Sequence, residues 1–475
     1  MVAENYEVVI GLEVHVQLAT KSKAFCSDST AFGGSPNTHV SPISLGHPGT
    51  LPRINERQVQ FAVELGLALG CEINRVNRFD RKNYFYADLP KGYQITQDAK
   101  PICIGGQLGP IRLHHIHMEE DAGKSMHSEE GPFSVIDLNR AGVPLLEIVT
   151  EPDFRSAEEV ETFMLDMRRM VRYLGVSDGN MEQGSMRCDC NVSVRKKGDL
   201  KLGERCEIKN LNSMRYAKKA IEYEFNRQVQ LIENGESVVR QTLHFDPQSG
   251  VTTPIRDKED ANDYRYFPDP DLCDILISED FLDHIEANMP LLPEQMRNRL
   301  IQEYHLSEYD ANLISEDPEV AHYYLSLVSD IGDFKALSKL LINKIIPYCN
   351  ESKFSISNFP LGPQIIAEFL ELIQKGIVSN SAAYQFLFPE LLERVNDGIS
   401  PALLAKELNL IQESDEDLLE GVVTKLLDTY PDKVKAYKNG KKGLIGFFMG
   451  EVMKETKGKA DPKKTSQMFK LHLDR

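Results

Sequence analysis

Tyr6–Leu18 reads YEVVIGLEVHVQL. From Leu12 onward apolar and polar residues alternate, with Leu12, Val14, Val16 and Leu18 on one side and Glu13, His15 and Gln17 on the other. A period of two belongs to an extended strand with one buried face, whereas a helix repeats every 3.6 residues. An acid and a histidine therefore ride on a strand whose other face is committed to the core. Residues 111–120, IRLHHIHMEE, alternate in the same way, with His115, His117 and Glu119 together and Ile116, Met118 and Glu120 opposite. MRCDCNVSVR (186–195) and RCEIKNLNS (205–213) read as further short strands.

Amphipathic helices lie between these strands. NERQVQFAVELGLALG (55–70) is one, and SAEEVETFMLDMRRMVRYLG (156–175) is another. The second opens with Ser156 as N-cap and Glu159 in capping-box position, and it ends at Gly175. Strands and helices do not alternate regularly, which predicts an α+β domain with a mostly antiparallel sheet over residues 1–292. NMPLLPEQMRNRL (288–300), bracketed by Pro290 and Pro293, marks a boundary. Beyond it the pattern is helical, with breaks at NFPLGP (358–363) and NDGIS (396–400). This predicts an all-α helical domain over 293–400 and a small basic helical tail domain over 401–475.

A chain of 475 residues is too long for one core, which agrees with this division. No window approaches the ~20 apolar residues of a membrane span, and a strand-like run at Tyr6 leaves no room for a leader peptide. Eight scattered cysteines fit a reduced, cytoplasmic protein better than a disulfide scaffold. The net charge of −18 argues against generic nucleic-acid binding, but the charge is uneven. From Asp432 to Arg475 twelve Lys and Arg stand against five Asp and Glu. A basic end on an acidic body reads as a solvated surface or as a contact for a polyanion.

HMEEDAGKSMH (117–127) tests two chemistries. A phosphate-binding loop of the form G-x-x-x-x-G-K-[ST] needs a glycine where Met118 stands, and its acids would repel the phosphates. A metal suits it better. Glu119 and Glu120 are hard oxygen donors of the kind that hold Mg²⁺ together with substrate phosphates, and Asp121 adds a third charge. Glu13 and His15, Asp189, Glu207 and Lys209 supply further polar groups within apolar strands. Any one of these reads as charge on a surface strand; their repetition points to a Mg²⁺-dependent site. Cys188, Cys190 and Cys206 lack the spacing of a zinc site and read as small buried hydrophobes. The aromatic stretches RKNYFYADLP (81–90) and NDYRYFPDPD (262–271) suit base stacking, although packing at turns is the commoner role.

The same stretches carry a family resemblance. VIGLEVHVQL, FDRKNYFYADLPKGYQITQ, HMEEDAGKSMH, DLNRAGVPLLEIVTEPD, MRCDCNVSVR, EIKNLNS and DYRYFPDPDL, in that order, resemble the B subunits of the glutamyl/aspartyl-tRNA amidotransferase. GLIGFFMGEVMKETKGKADP (443–462) is similar to that family's C-terminal tail. The inserted synthetase-like domain of the archaeal E subunit is not visible here, which favours the B type. The resemblance implies a glutamine-synthetase-like cradle at the N-terminus. It also implies ATP- and Mg²⁺-dependent phosphorylation of the side chain of glutamate on tRNA-Gln, or aspartate on tRNA-Asn, and then amidation with ammonia.

Carried onto this chain, the resemblance puts Glu13, His15, Glu119, Glu120 and Glu207 at the metal, with Asp189 beside them. Catalytic roles fall on Glu13, His15, Glu120 and Lys209. Lys124, with Lys82, Tyr84 and Lys91 on the same cleft, would meet the nucleotide. Some members carry a four-cysteine zinc knuckle, but here Cys26 stands with Asp28, Ser41 and Ser44, so no structural zinc is expected. Nothing resembles the Gly/Ser-rich amidase signature. The resemblance therefore implies an amidase A subunit, which supplies ammonia through a channel, and a small C subunit, in a heterotrimer. Lys441, Lys442, Lys454, Lys457 and Lys459 then gain a candidate partner in the elbow of the misacylated tRNA.

Overall fold

The computed structural model describes residues 3–127, 131–255, 264–412, 416–456, 460 and 462–473. The chain divides into two compact units, Met1–Gln295 and Met296–Arg475. The first is α+β and the second is helical.

The strands that build the first unit's site are β1 (Tyr6–Gln17), β2 (Asp80–Asn83), β3 (Tyr93–Thr96), β4 (Ile111–Glu120), β5 (Pro144–Thr150), β6 (Met186–Lys196) and β7 (Cys206–Leu211). β1 lies inside a ten-stranded sheet, between β5 and β6, with β4 next to β5 and β7 next to β6. Gln241–Asp246 and Val251–Pro254 extend the sheet beyond β7, and Cys103–Ile104 and Glu72–Ile73 extend it beyond β4. These pairings are antiparallel except that of β7 with Gln241–Asp246, so the sheet is mixed in the strict sense.

The alternation in β1 decides its two faces. Leu12, Val14 and Val16 are fully buried. They join one core with Phe61 and Leu65 of α1 (Glu56–Ala68), Phe163 and Met167 of α2 (Ala157–Tyr173), and Ala220 and Ile221 of α3 (Met214–Glu233). Burying each such side chain is worth about 1.5–3 kcal/mol, and a one-residue slip of register would exchange the apolar set for Glu13 and His15. Register is therefore held by the core, and the polar set is held to the other face. α2 starts as its sequence predicts: Ser156 Oγ accepts the Glu159 N–H at 3.1 Å. The Glu159 carboxylate reaches back one residue further, to the Arg155 N–H at 2.6 Å. Cys188, Cys190 and Cys206 are fully buried in the sheet.

Gly66 tests how tightly α1 sits on the sheet. A Cβ there would lie 2.4 Å from Cys103 Sγ and 2.9 Å from Ile73 Cδ1. Alanine is normally worth ~1 kcal/mol over glycine inside a helix, but crowding of this kind costs about 1–3 kcal/mol. Gly66→Ala is therefore expected to lower the melting temperature by several degrees. An equal or higher melting point would contradict the close packing.

In the second unit helices follow one another from Met296, and both predicted breaks are present. Ile356–Asn358 is a short 3-10 turn before a helix at Pro363–Gln374, and Gly398, at φ 62°, ends Val395–Asp397 before Pro401–Glu407. Near the C-terminus Glu416–Thr429, Ile445–Glu455 and Pro462–Leu473 share a core of Val423, Phe448, Val452 and Phe469.

Candidate active site on the polar face of the sheet

Cross-strand register gathers the polar residues. Glu13 lies opposite Asp189, and His15 lies opposite Arg187 on one side and Glu147 on the other. Glu147 lies opposite His117, and Asn191 opposite Glu207. Two clusters result, one on each side of β1.

The first joins Glu13, Asp189 and Glu207, whose carboxylate oxygens lie within 4.8 Å of one another. Lys209 Nζ stands 3.0 Å from Glu207 Oε1 and 3.5 Å from Asp189 Oδ2. Asn191 Nδ2 donates to Glu13 Oε1 at 3.0 Å, and Thr242 Oγ1 donates to Glu207 Oε2 at 3.2 Å. Burial, and then the charges of Glu147 and Glu207, push the Glu13 carboxyl above its ordinary range. Burial opposes the Lys209 charge, but Asp189 and Glu207 outweigh it and raise that pKa. Three hard oxygen donors with one amine beside them form a cluster short of positive charge, and a divalent cation would supply it.

The second cluster joins His15, Glu119 and Glu147, again within 4.8 Å. His15 Nε2 is 3.3 Å from Glu147 and 3.8 Å from Glu119, and His117 Nε2 is 3.4 Å and 3.5 Å from the same two. Thr96 Oγ1 donates to Glu119 at 3.3 Å. Burial draws the His117 imidazolium down, but Glu147 and Glu119 overcome it and hold its pKa at about 10. His15 is raised by the same balance. Burial acts against the Glu147 anion, and the two imidazoles hold it well below the carboxylate range nonetheless. His115, 3.0 Å from His117, is lowered to about 4 by burial and by its histidine neighbours. Buried His15 Nδ1 has no hydrogen-bond partner among the described residues.

Other residues singled out in the sequence lie outside these two clusters. Glu120 is buried on the opposite face from Glu119, where its carboxylate accepts from Lys91 Nζ and from the Ile95 N–H at 3.0 Å. The alternation of β4 enforces this, because consecutive residues of a strand point to opposite faces. Glu120 and Lys91 therefore do not join the acidic clusters. Together they line a separate cavity of about 250 Å³ with Lys23, Cys26 and Arg81. Lys124 is exposed on a hairpin formed by Lys124–His127 and Ser134–Asp137, in register with Asp137. Asp121 is buried against Arg187, with bonds of 3.1 and 3.2 Å, and accepts from Gln17 Nε2 at 2.7 Å. Gly123 lies outside the left-handed region of backbone conformation. Its N–H donates to Asp88 O at 2.9 Å, and a Cβ there would meet Leu138, Asp137 and Asp88 within 3.0 Å.

Lys82 and Tyr84 do lie near the second cluster. Lys82 lines a cavity of about 510 Å³ with Glu147, His117, Thr96 and Tyr266. Burial works against its charge, but Glu119, Tyr266 and Glu147 raise its pKa. Tyr84 donates its hydroxyl to Gln94 at 3.3 Å. Cys26, Asp28, Ser41 and Ser44 also come together: Cys26 Sγ lies 3.3 Å from Ser44 Oγ, and the Asp28 carboxylate accepts the Ser41 N–H at 2.8 Å and the Ser44 hydroxyl. In the second unit Lys441, Lys442 and Lys454 are exposed, while Lys457 and Lys459 lie outside the described residues.

Glu147 and His117 complete the second cluster without having been singled out as ligands. The signal for Glu147 was present in PLLEIVT (144–150), an apolar strand with one inward acid. Its relevance depended on pairing with β1, which local periodicity does not reveal.

Residues 8–283 match the family model described as the GatB/GatE catalytic domain, and residues 322–473 match the GatB domain. The B subunit of the aspartyl/glutamyl-tRNA(Asn/Gln) amidotransferase from Thermodesulfovibrio yellowstonii is 45% identical, over 98% of this chain and 99% of that one. The protein of the same name from Persephonella marina is 44% identical over 98% and 99%. That of Salinibacter ruber is 45% identical over 100% and 98%.

Proposed function

The chain belongs to the GatB family of tRNA-amidotransferase B subunits, and we propose on that premise that it activates and amidates the amino acid on a misacylated tRNA. The γ-phosphate of ATP passes to the side-chain carboxylate of Glu-tRNA(Gln) or Asp-tRNA(Asn), leaving ADP and an acyl phosphate. Ammonia then displaces phosphate to give the amide. The observation that carries this reading is the convergence of Glu13, Asp189 and Glu207 with Lys209 on one rigid sheet face.

That donor set fits Mg²⁺, which takes oxygen ligands together with substrate phosphates. When bound, Mg²⁺ neutralises phosphate charge, the main requirement of phosphoryl transfer. Glu13, Asp189 and Glu207 would hold it. Lys209 stands where a cation would also meet phosphate oxygens, and it keeps the carboxylates compensated beforehand. His15, Glu119 and Glu147, with His15 Nε2 turned towards both carboxylates, form a second set suited to a divalent cation. The imidazoles of His15 and His117 stop those carboxylates from repelling an anionic substrate.

The ammonia would come from a partner, since the sequence has no amidase signature. An amidase A subunit and a small C subunit complete the proposed heterotrimer. No helix among the described residues is long and apolar enough to cross a membrane, which is compatible with a cytoplasmic translation enzyme. The test is Mg²⁺-dependent ATP cleavage by the assembled complex, assayed on Glu-tRNA(Gln) and on Asp-tRNA(Asn). Cleavage should require a misacylated tRNA. Equal turnover by the isolated chain on a small carboxylate, without tRNA, would overturn the reading.

The basic tail supplies a second test. Exposed Lys441, Lys442 and Lys454 are proposed to meet tRNA phosphates, each pair releasing counterions. Changing all three to Gln should raise the KM for tRNA severalfold and reduce the log–log salt slope by about 2. An unchanged slope would remove the tail from the tRNA contact.

A further inference from the structure

Two chain segments place four tyrosines in series beside the polar sheet face. Ring centroids are 5.7 Å apart for Tyr86–Tyr84, 6.0 Å for Tyr84–Tyr264 and 6.0 Å for Tyr264–Tyr266, all edge to face. Asn83 binds the segments together: its N–H donates to Tyr264 O at 3.0 Å, and its side chain donates to the Tyr264 and Arg265 carbonyls at 3.1 and 2.9 Å. Between the second pair of rings Arg265 adopts φ 48°, a left-handed conformation that costs a non-glycine residue roughly 1 kcal/mol. A turn held at that cost fixes the order of the rings. The outer ones are not packed away: Tyr86 is 49% exposed and Tyr266 40%, with Phe85 beside them at 88%. The inner rings, Tyr84 and Tyr264, are half-buried.

Three features say what such a surface would receive. Lys82 Nζ lies 4.8 Å over the Tyr264 ring, which puts a cation among the aromatics. Tyr266 and Lys82 also line the cavity that contains Glu147 and His117. Several rings in series exceed what one nucleobase needs, whereas unpaired nucleotides stack on consecutive aromatics at ~1–3 kcal/mol per base. The amino acid of an aminoacyl-tRNA is esterified to the terminal ribose, so its last bases must rest in the neighbourhood of the reacting carboxylate.

We propose that Tyr86, Tyr84, Tyr264 and Tyr266, with Phe85 and Lys82, form the platform on which the unpaired 3′-terminal nucleotides of the aminoacyl-tRNA stack. The proposal rests on the function inferred above and adds to it the part of the substrate that this surface holds. Tyr84 and Tyr264 anchor the platform, while Tyr86, Tyr266 and Phe85 present ring surface to the bases. Lys82 meets the backbone phosphate or ribose next to them.

The test uses the assembled enzyme with Tyr86→Ala and Tyr266→Ala, alongside Tyr86→Phe and Tyr266→Phe. Each alanine variant should raise the KM for misacylated tRNA about tenfold, without moving the KM for ATP. Each phenylalanine variant keeps the ring and should stay within about twofold of the parent. A tRNA carrying 2-aminopurine as its terminal base should lose fluorescence on binding the parent and the phenylalanine variants, and keep it with the alanine variants. A raised KM for ATP alone would assign the rings to adenine and overturn the proposal. Loss of the partner proteins from the alanine complexes would make the surface a protein contact and overturn it equally. A parent complex that quenches the probe but never amidates would refute the function and leave the platform. Amidation with indifferent alanine variants would refute the platform alone.

Discussion

Glu13→Gln is expected to reduce ATP-dependent amidation by the assembled enzyme about a thousandfold, equivalent to ~4 kcal/mol of transition-state stabilisation. Glutaminase activity of the proposed partner should persist. Glu13 is central to the first cluster: it faces Asp189 across the sheet, shares its neighbourhood with Glu207, and carries a carboxyl pushed up by burial and by like charge. Such a group gains stability as an anion when a cation joins it. The amide keeps the volume and can still bond to Asn191, so the strand should hold its register and the loss should be chemical. Two measurements separate the causes. Melting in the absence of Mg²⁺ should be unchanged or slightly improved, since one repelling charge is gone. If Mg²⁺ binds as proposed, the rise in melting temperature it gives the parent should shrink or vanish in the variant, because ligand stabilisation follows RT ln(1 + L/Kd), with L the free ligand concentration, and falls as affinity falls. Full activity in Glu13→Gln would move the proposed metal to the His15, Glu119 and Glu147 set.

How far the sequence foretold this site depends on whether a feature is local. The two faces of β1 were legible because a period of two is contained in thirteen residues, and the start of α2 was legible because Ser156 and Glu159 are three apart. Which strands flank β1 was not legible. Pairing of β1 with β5 and with β6 brings together residues more than a hundred positions apart, and alternation within each strand is silent about its neighbours. Glu147 and Arg187 became visible only with that register. Glu120 teaches the reverse. Its strand's alternation already put it opposite Glu119, and the family resemblance grouped the two adjacent acids in one metal set. Geometry sides with the alternation. The tyrosine series was hidden because Tyr84 and Tyr264 are brought into contact by Asn83, a polar residue with no periodic signature.

Arg187→Met is expected to destabilise the protein by ~3 kcal/mol, since removing one partner of a buried ion pair strands the other charge. Asp121 is buried at the end of the EED run, and Arg187 gives it two N–H bonds. Gln17 and, at 3.7 Å, Arg140 remain after the change, which keeps the loss at the lower end of the range for such breaks. Adding Asp121→Asn should recover much of the loss, because the stranded charge is removed while Gln17 keeps a partner. The double variant should therefore be more stable than the sum of the singles by ~1.5 kcal/mol or more. The pH dependence follows from the same pair. In the parent, burial raises the Asp121 pKa but Arg187 and Arg140 more than offset it, so the carboxyl sits below its ordinary value. Its contribution is then present above the unfolded pKa of ~3.9 and lost only as pH falls through the lower folded value. Without Arg187 burial is less opposed and the folded pKa rises, so protonation relieves the variant at a pH where the parent is still ionised. The stability gap between parent and Arg187→Met, measured by denaturant unfolding, should narrow as pH falls from 7 towards about 4. A gap that stays constant, or strictly additive single and double variants, would mean that Asp121 is held by something other than the Arg187 guanidinium.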